Sequence, residues 1–249
     1  MCGRYSITTN PEAMRQLFRF LNPTPNVPPH YNAAPTQELP VVRRDRDGAR
    51  ELVQIRWGLV PFWAKEPKIG YSMINAKAET VAEAPAYRAA FQRRRCLVPA
   101  DGFYEWQKQG KQKQPYRFTP KAGGLFAFAG LWERWRKPRP RTGQGPDPGG
   151  DAPLETFTII VTEANDLIRR IHDRMPVIID PSDYDAWLEA ADTTIPMALL
   201  QPYPAERMRG YPVSQRVNSP KNDDPEVMAE AQTDLLFGDD LASPGDEDR

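Results

Sequence analysis

The second residue of the chain is a cysteine, behind Met1 and ahead of Gly3 and Arg4. Initiator methionine is trimmed when the next side chain is small, and cysteine qualifies. Cys2 then carries a free α-amine and a thiol on adjacent carbons, a 1,2-aminothiol. The amine condenses with an aldehyde to an imine, and the sulfur closes on the imine carbon to give a five-membered thiazolidine. Reference pKa values of about 7.7–8.0 for the amine and about 8.5 for the thiol leave both partly deprotonated near neutral pH. The plain alternative for such a position is a frayed terminus with no chemical task.

Three further segments set polar groups into strand-like or turn-like sequence. In Ser72–Thr80, Asn75 and Lys77 stand two apart and share one face of an extended chain. In Asp101–Trp106, Glu105 sits between Tyr104 and Trp106, where desolvation would raise a carboxyl toward the range a general acid/base needs. In Ile171–Pro176, His172 falls at a helix end before a strand. Each has an ordinary structural reading: a turn amide for Asn75, an edge-strand carboxylate for Glu105, and a cation meeting a helix dipole for His172.

The elements that would position these residues are mostly short strands. Strand-like runs cover 51–60, 96–99, 103–107, 115–119, 125–132, 156–162, 176–180 and 211–217. Helical patterns cover roughly 84–94, 164–171, 182–191 and 224–236. Asn10-Pro11-Glu12 opens a first helix with Met14, Leu17, Phe18 and Leu21 on one face, and Ser182 with Asp185 predicts an N-cap. The six prolines of 22–40 predict an irregular, extended connection. Without βαβ regularity, the pattern predicts an α+β fold around a mainly antiparallel sheet or barrel with flanking helices. A single domain is expected over 2–237. The Pro/Gly-rich 137–153 reads as a disordered insertion between two strands, and 238–249 as an acidic disordered tail.

Composition narrows the function classes. No apolar run is long enough to span a membrane and no signal segment opens the chain, so a soluble, cytoplasmic protein with no membrane partner is expected. Two cysteines and two histidines, His30 and His172, do not make a disulfide framework or a structural zinc site. Cys96 in CLVPA reads as a core thiol, and neither metal nor cofactor is expected. The zero net charge hides a segregation: residues 222–249 hold ten acids and one base, leaving 32 basic and 23 acidic residues before them. A basic body with an acidic end suits a polyanion partner, and equally an ordinary protein with a solvating tail.

Taken in order, MCGRY, YNAAPTQ (31–37), RWGLVPFWA (56–64), INAKAET (74–80), CLVPADGFYEWQ (96–107), IHDRMPVI (171–178) and PVSQRVNSPKND (212–223) resemble the blocks of the SRAP family. These are the abasic-site processing proteins (SOS response-associated peptidase family), and the likeness covers essentially residues 2–222. The resemblance implies an exposed Cys2 that forms a thiazolidine with the ring-opened sugar of an abasic site, in single-stranded or single/double-strand junction DNA. It implies that Asn75 positions the amine and sugar while Glu105 and His172 move protons, in a monomer associated with the nucleoid during DNA damage. Arg4 and Lys77, with help from Arg88 and Thr162, would contact phosphates. Trp57, Phe62, Trp63 and Trp106 would stack on bases or wedge a duplex, against core packing as the alternative for each. Many relatives carry arginine where this chain has Lys77, and lysine keeps the charge but loses the bidentate fork. Two other functions fit the residues: an N-terminal-nucleophile cysteine peptidase or amidohydrolase that removes its own Met1, and a non-covalent single-strand binding module.

Overall fold

The computed structural model describes residues 2–110, 112–138 and 152–231. In chain order the elements are β1 (Tyr5–Ile7), α1 (Pro11–Phe18), β2 (His30–Ala33), β3 (Glu38–Arg44), β4 (Arg50–Trp57), β5 (Asn75–Lys77), α2 (Arg88–Arg93) and β6 (Arg95–Ala100). They continue as β7 (Gly102–Gln109), β8 (Gln112–Pro120), β9 (Phe126–Trp135), β10 (Leu154–Glu163), α3 (Asp166–Arg169), β11 (Arg174–Pro176), β12 (Ile178–Ile179), α4 (Tyr184–Glu189), α5 (Thr194–Ala198) and β13 (Met208–Pro212).

The strands form two sheets. The larger runs β11-β10-β4-β3-β6-β9-β12, and β10 also pairs with β9, which closes β10, β4, β3, β6 and β9 into a barrel. Most pairings are antiparallel, but β10 runs parallel to β4 and β5. The fold is therefore α+β with a mixed barrel core and flanking helices. β10 is apolar at nearly every position from Phe157 to Val161, as expected of a strand enclosed on both faces. The second sheet runs β13-β8-β7-β1-β2. Tyr5 of β1 packs against Trp57 and Phe128 at centroid distances of 5.3 and 5.8 Å, and Phe103 of β7 meets Phe128 at 5.9 Å. These rings seat the second sheet on the barrel.

Several local expectations are corrected. Helix α1 stops at Phe18 because Arg19 takes a left-handed φ of 57°, which leaves Leu21 exposed rather than on the apolar face. Proline-rich 22–40 is not wholly irregular: β2 and the start of β3 lie within it, Pro40 included. Asp180 rather than Ser182 supplies the capping carboxylate before α4, accepting from the Ser182 N–H. The run 176–180 is split by Val177, and 211–217 yields β13 at 208–212 followed by a 3-10 turn over 215–218. Within 224–236 the described residues hold no α-helix, only a 3-10 turn, Pro225–Met228, and a bridge from Glu230 to Val213. Residues 139–151 and the expected tail lie outside the described residues. The strands flanking the expected insertion are direct neighbours, with Trp135 opposite Leu154.

The last described segment is strapped across the second sheet by a buried amide. Asn32 Nδ2 donates to the carbonyls of Val217, Ser219 and Asn222, at 3.2, 3.0 and 2.8 Å, and Oδ1 accepts from Arg4 at 2.9 Å. Asp223 closes the strap by accepting the Tyr31 and Asn32 backbone N–H groups and meeting His30 Nδ1 at 2.9 Å. A buried polar group left without partners costs about 1–3 kcal/mol. Asn32→Ala is expected to lower unfolding free energy by at least that much in urea denaturation, and to expose 213–231 to limited proteolysis before the barrel is cut. Unchanged stability would show that the strap is not held through this amide.

Candidate active site

The N-terminus enters the second sheet beside β7, and strand alternation sorts the neighbouring side chains onto two faces. Phe103 and Cys2 belong to the main core, whereas Tyr104, with Trp106 against it, packs in a separate cluster with Val213, Val217 and Val227. Glu105 shares the Phe103 face and is 2% exposed. Burial pushes its pKa up to about 7, opposed by the positive charge of the chain's N-terminus and reinforced by Asp173. A carboxyl at that value is both donor and acceptor at neutral pH.

Cys2 is fully buried rather than exposed. Desolvation, with the Glu105 carboxylate adding to it, pushes its thiol pKa far above the ordinary value, so the group is a thiol and not a thiolate at neutral pH. This corrects the expectation of a partly ionised sulfur. Its Sγ lies 4.0 Å from the Arg4 carbonyl oxygen.

Asn75 opens β5 and pairs in register with Ile159 of β10. Its Nδ2 reaches the Ile159 carbonyl only at 3.5 Å, and its buried Oδ1 has no hydrogen-bond partner among the described residues. Tyr87 donates its hydroxyl to the Asn75 carbonyl at 3.1 Å and so holds the start of the strand. His172 follows α3 in the turn before β11. Its Nδ1 accepts the Arg174 backbone N–H at 3.0 Å, which places the proton of the neutral ring on Nε2. Asp173 also lies 3.1 Å from Nδ1, an ion pair only if the ring is protonated. Burial lowers the His172 pKa and the backbone N–H already occupies Nδ1, so the neutral ring is the resting form.

The expected binding residues divide. Trp57 is fully buried, with its Nε1–H on the Ile74 carbonyl, and Thr162 is 5% exposed with its hydroxyl toward the Leu200 carbonyl. Neither offers a surface to a ligand, because both point into the packed barrel and its flank. Lys77 and Arg88 are exposed at the end of β5 and the start of α2. Phe62 and Trp63 are 57% and 49% exposed. Their loop is pinned where Gly58 (φ 116°) crosses Gly70; a Cβ on Gly58 would stand 2.5 Å from the Gly70 oxygen. Arg4 and Trp106 lie on the other face of β7 from Glu105, in a cleft of about 570 Å³ shared with Lys113, Gln112, Gln215 and Asn218. Much of Arg4 is spent internally on Asn32 and the Val217 carbonyl, and Trp106 donates to Asn218 at 2.6 Å.

Sequence reading passed over Glu79 and Arg174, which form a two-pronged ion pair (2.9 Å for the Nη2 arm) joining the Lys77 loop to the His172 turn. Only their opposite charges inside two already notable segments could have pointed to it. Among the described residues, no group of three or more His, Cys, Asp or Glu side chains could hold a metal ion. No described helix is long and apolar enough to cross a membrane.

A mixed barrel with a second-residue cysteine beside a buried carboxyl defines a protein class, and comparison with known proteins identifies it. The chain belongs to the SOS response associated peptidase (SRAP) family, whose profile matches residues 1–220. It is 43% identical over 234 residues to the abasic site processing protein YoqW of Bacillus subtilis, covering 92% of this chain and 99% of that one. It is 32% identical over 271 residues to the abasic site processing protein HMCES of Xenopus tropicalis, covering 92% and 78%. A crystal structure of a Bacteroides thetaiotaomicron protein matches with a TM-score of 0.78 at 25% identity, covering 92% of this chain and all of that one.

The Glu105 environment makes a stability prediction. Its folded pKa of about 7 stands above the reference 4.5, so over that window the unfolded chain ionises while the folded chain stays protonated. The stability it contributes is present below pH 4.5 and lost as pH rises through 7, on the order of 3 kcal/mol. Glu105→Gln should lack this loss. Denaturation of both forms at pH 4 and pH 8 is expected to show the variant gaining on the wild type at the higher pH; parallel pH profiles would place the carboxyl in water.

Proposed function

We propose that the chain captures abasic sites in single-stranded DNA, or at junctions with duplex, as a covalent thiazolidine on Cys2 after loss of Met1. The observation that carries this reading is the burial of the Cys2 thiol and the Glu105 carboxyl together on the core face of the second sheet, where desolvation keeps the thiol protonated and pushes the carboxyl up to about 7. The Cys2 amine adds to the sugar aldehyde and expels water, leaving an imine. Sulfur then attacks the imine carbon as its proton passes, through Glu105, to the imine nitrogen. The C–S bond forms, the C=N bond becomes single, and no further atom leaves. Because the thiol is not ionised beforehand, a nearby group able to take and return a proton is needed. Holding sulfur beside the imine makes closure intramolecular, where effective molarities reach about 10⁵–10⁸ M.

The unpartnered Asn75 Oδ1 would accept from the amine or a sugar hydroxyl, and neutral His172 would offer Nε2–H to the ring-opening oxygen. An imine that fails to close permits β-elimination at the sugar, a lyase side reaction. Lys77, Arg88 and the Phe62–Trp63 loop are the exposed groups available for phosphates and bases. A cysteine peptidase is less well served here, because its nucleophile is a thiolate with a lowered pKa, the opposite of Cys2.

Incubation with a single-stranded oligonucleotide bearing one abasic site should give a band that survives denaturation. Its mass should equal protein without Met1 plus DNA less one water. Cys2→Ala should form no stable adduct but should be trapped by borohydride through its imine. A stable unreduced adduct on Cys2→Ala, or full activity in chains that keep Met1, would overturn the mechanism.

Glu105→Gln and His172→Ala should each slow single-turnover cross-linking by about 10²–10⁴-fold while leaving DNA affinity within a small factor of wild type. A variant that binds poorly yet reacts at the full rate once saturated would remove that residue from proton transfer.

A further inference from the structure

A second cleft, of about 830 Å³, shares no residue with the reactive group. Its lining includes Arg43, Arg44 and Arg46 from β3 and the turn after it, Arg93 and Arg95 around the end of α2, and Arg134 on β9. β4 measures its separation from the site. Glu51, near the start of that strand, lines the cleft, and Trp57 at its other end bonds the Ile74 carbonyl next to Asn75. Six residues of strand span roughly 20 Å.

Most of the acidic lining is already engaged. Asp45 Oδ1 accepts the Asp47 and Ala49 N–H groups of its own turn, and Glu51 accepts from Arg43 Nε at 2.7 Å. Glu189 is the third acid of the lining; Glu155, outside it, meets both Arg134 and Arg43 from behind. Arg95 is used internally, donating to the carbonyls of Phe91, Gln92, Trp187 and Ala190. Arg43 is 6% exposed and its guanidinium lies 4.0 Å from the centre of the Trp132 ring, yet its buried Nη1 has no hydrogen-bond partner. At the rim, Arg44 bonds only the Gly48 carbonyl through Nε, and Arg46 and Arg93 make no ion pair with any described residue. All three are exposed.

We propose that this cleft is a second anchoring site for nucleic-acid backbone, taking phosphates of the captured strand several nucleotides from the reacting sugar. The inference rests on the DNA-capture reading above and adds a surface to it. Guanidinium forks match phosphate oxygens. The free arginines stand on two separate elements along an open cleft rather than converging on one point, which suits successive phosphates over a single compact anion. The one indole in the cleft already has Arg43 against its face, so the site positions backbone and does not read bases.

The test compares two abasic single strands, one too short to reach from Cys2 to the cleft and one long enough to pass it. Wild type and the Arg44→Glu/Arg46→Glu/Arg93→Glu variant are measured on both by fluorescence anisotropy across a salt series, with cross-linking rates at saturation. The variant should lose about tenfold or more in affinity for the long strand, with its salt slope reduced by about 2. Its affinity for the short strand and its cross-linking rate on it should be unchanged. The matching triple glutamine variant, checked by circular dichroism, should show the same direction with smaller size. Equal long-strand affinity and slope in wild type and both variants would overturn the cleft. Absence of any adduct with the short strand would instead overturn the capture chemistry, while the long-versus-short affinities would still decide the cleft.

Discussion

The geometry of the site depends on one corner, Asp101. It is the single residue between β6 of the barrel and β7 of the second sheet. Its carboxylate accepts from the Ser6 hydroxyl at 2.5 Å, from the Thr8 N–H and hydroxyl at 2.6 and 2.7 Å, and from Arg117 at 3.0 Å. Hydrogen bonds to a charged group contribute about 1.5–3 kcal/mol each. This cluster fixes β1 to the start of β7, and with it the placing of Cys2 near Glu105. The constraint extends to Gly102, where a Cβ would stand 2.6 Å from the Arg117 guanidinium carbon. Backbone and carboxylate thus share one crowded corner, and the barrel cannot shift against the second sheet without breaking it.

Burial has opposite consequences for the two reactive groups held there. For Glu105 it brings a carboxyl to the pH at which it exchanges protons readily. For Cys2 it removes the thiolate that an exposed cysteine would offer. The sulfur is thereby kept as a thiol, and the capture chemistry proposed above would draw its base from the neighbouring carboxyl. The neutral resting state of His172 arises from the same low-polarity surroundings.

The sequence carried the long strands and the site segments well, because alternation in 103–107 and the apolar runs of β9 and β10 are strong local signals. It missed β1 and β2, which are short and whose partners lie about 25 to 100 residues away in the chain, and β3, where Pro40 argues locally against a strand although its main partner, β4, is the next strand along. Asn75, Glu105 and His172 were legible as polar groups in unusual settings. The misread binding residues, Trp57 and Thr162, share a cause: amphipathic side chains look the same in sequence whether their polar tips meet a ligand or a backbone carbonyl. Only the closed barrel decides, by filling both of their surroundings. The basic cleft was invisible for a related reason, since its arginines are collected from three stretches of chain and compensated elsewhere by distant acids.

The alternation of β7 also separates chemistry from strap. Glu105 faces the core with Cys2, whereas Tyr104 and Trp106 face the segment held by Asn32 and Arg4. Tyr104 sends its hydroxyl to the Tyr31 carbonyl at 2.6 Å, so each side of the strand has its own anchor. A one-residue slip of β7 would put Glu105 into the Arg4 cleft and an aromatic ring against the Cys2 thiol. The register is secured by seven consecutive pairs with β8, from Phe103 opposite Phe118 to Gln109 opposite Gln112. Each of those pairs would have to break for β7 to slip, so the hairpin holds Glu105 inward and its neighbours outward.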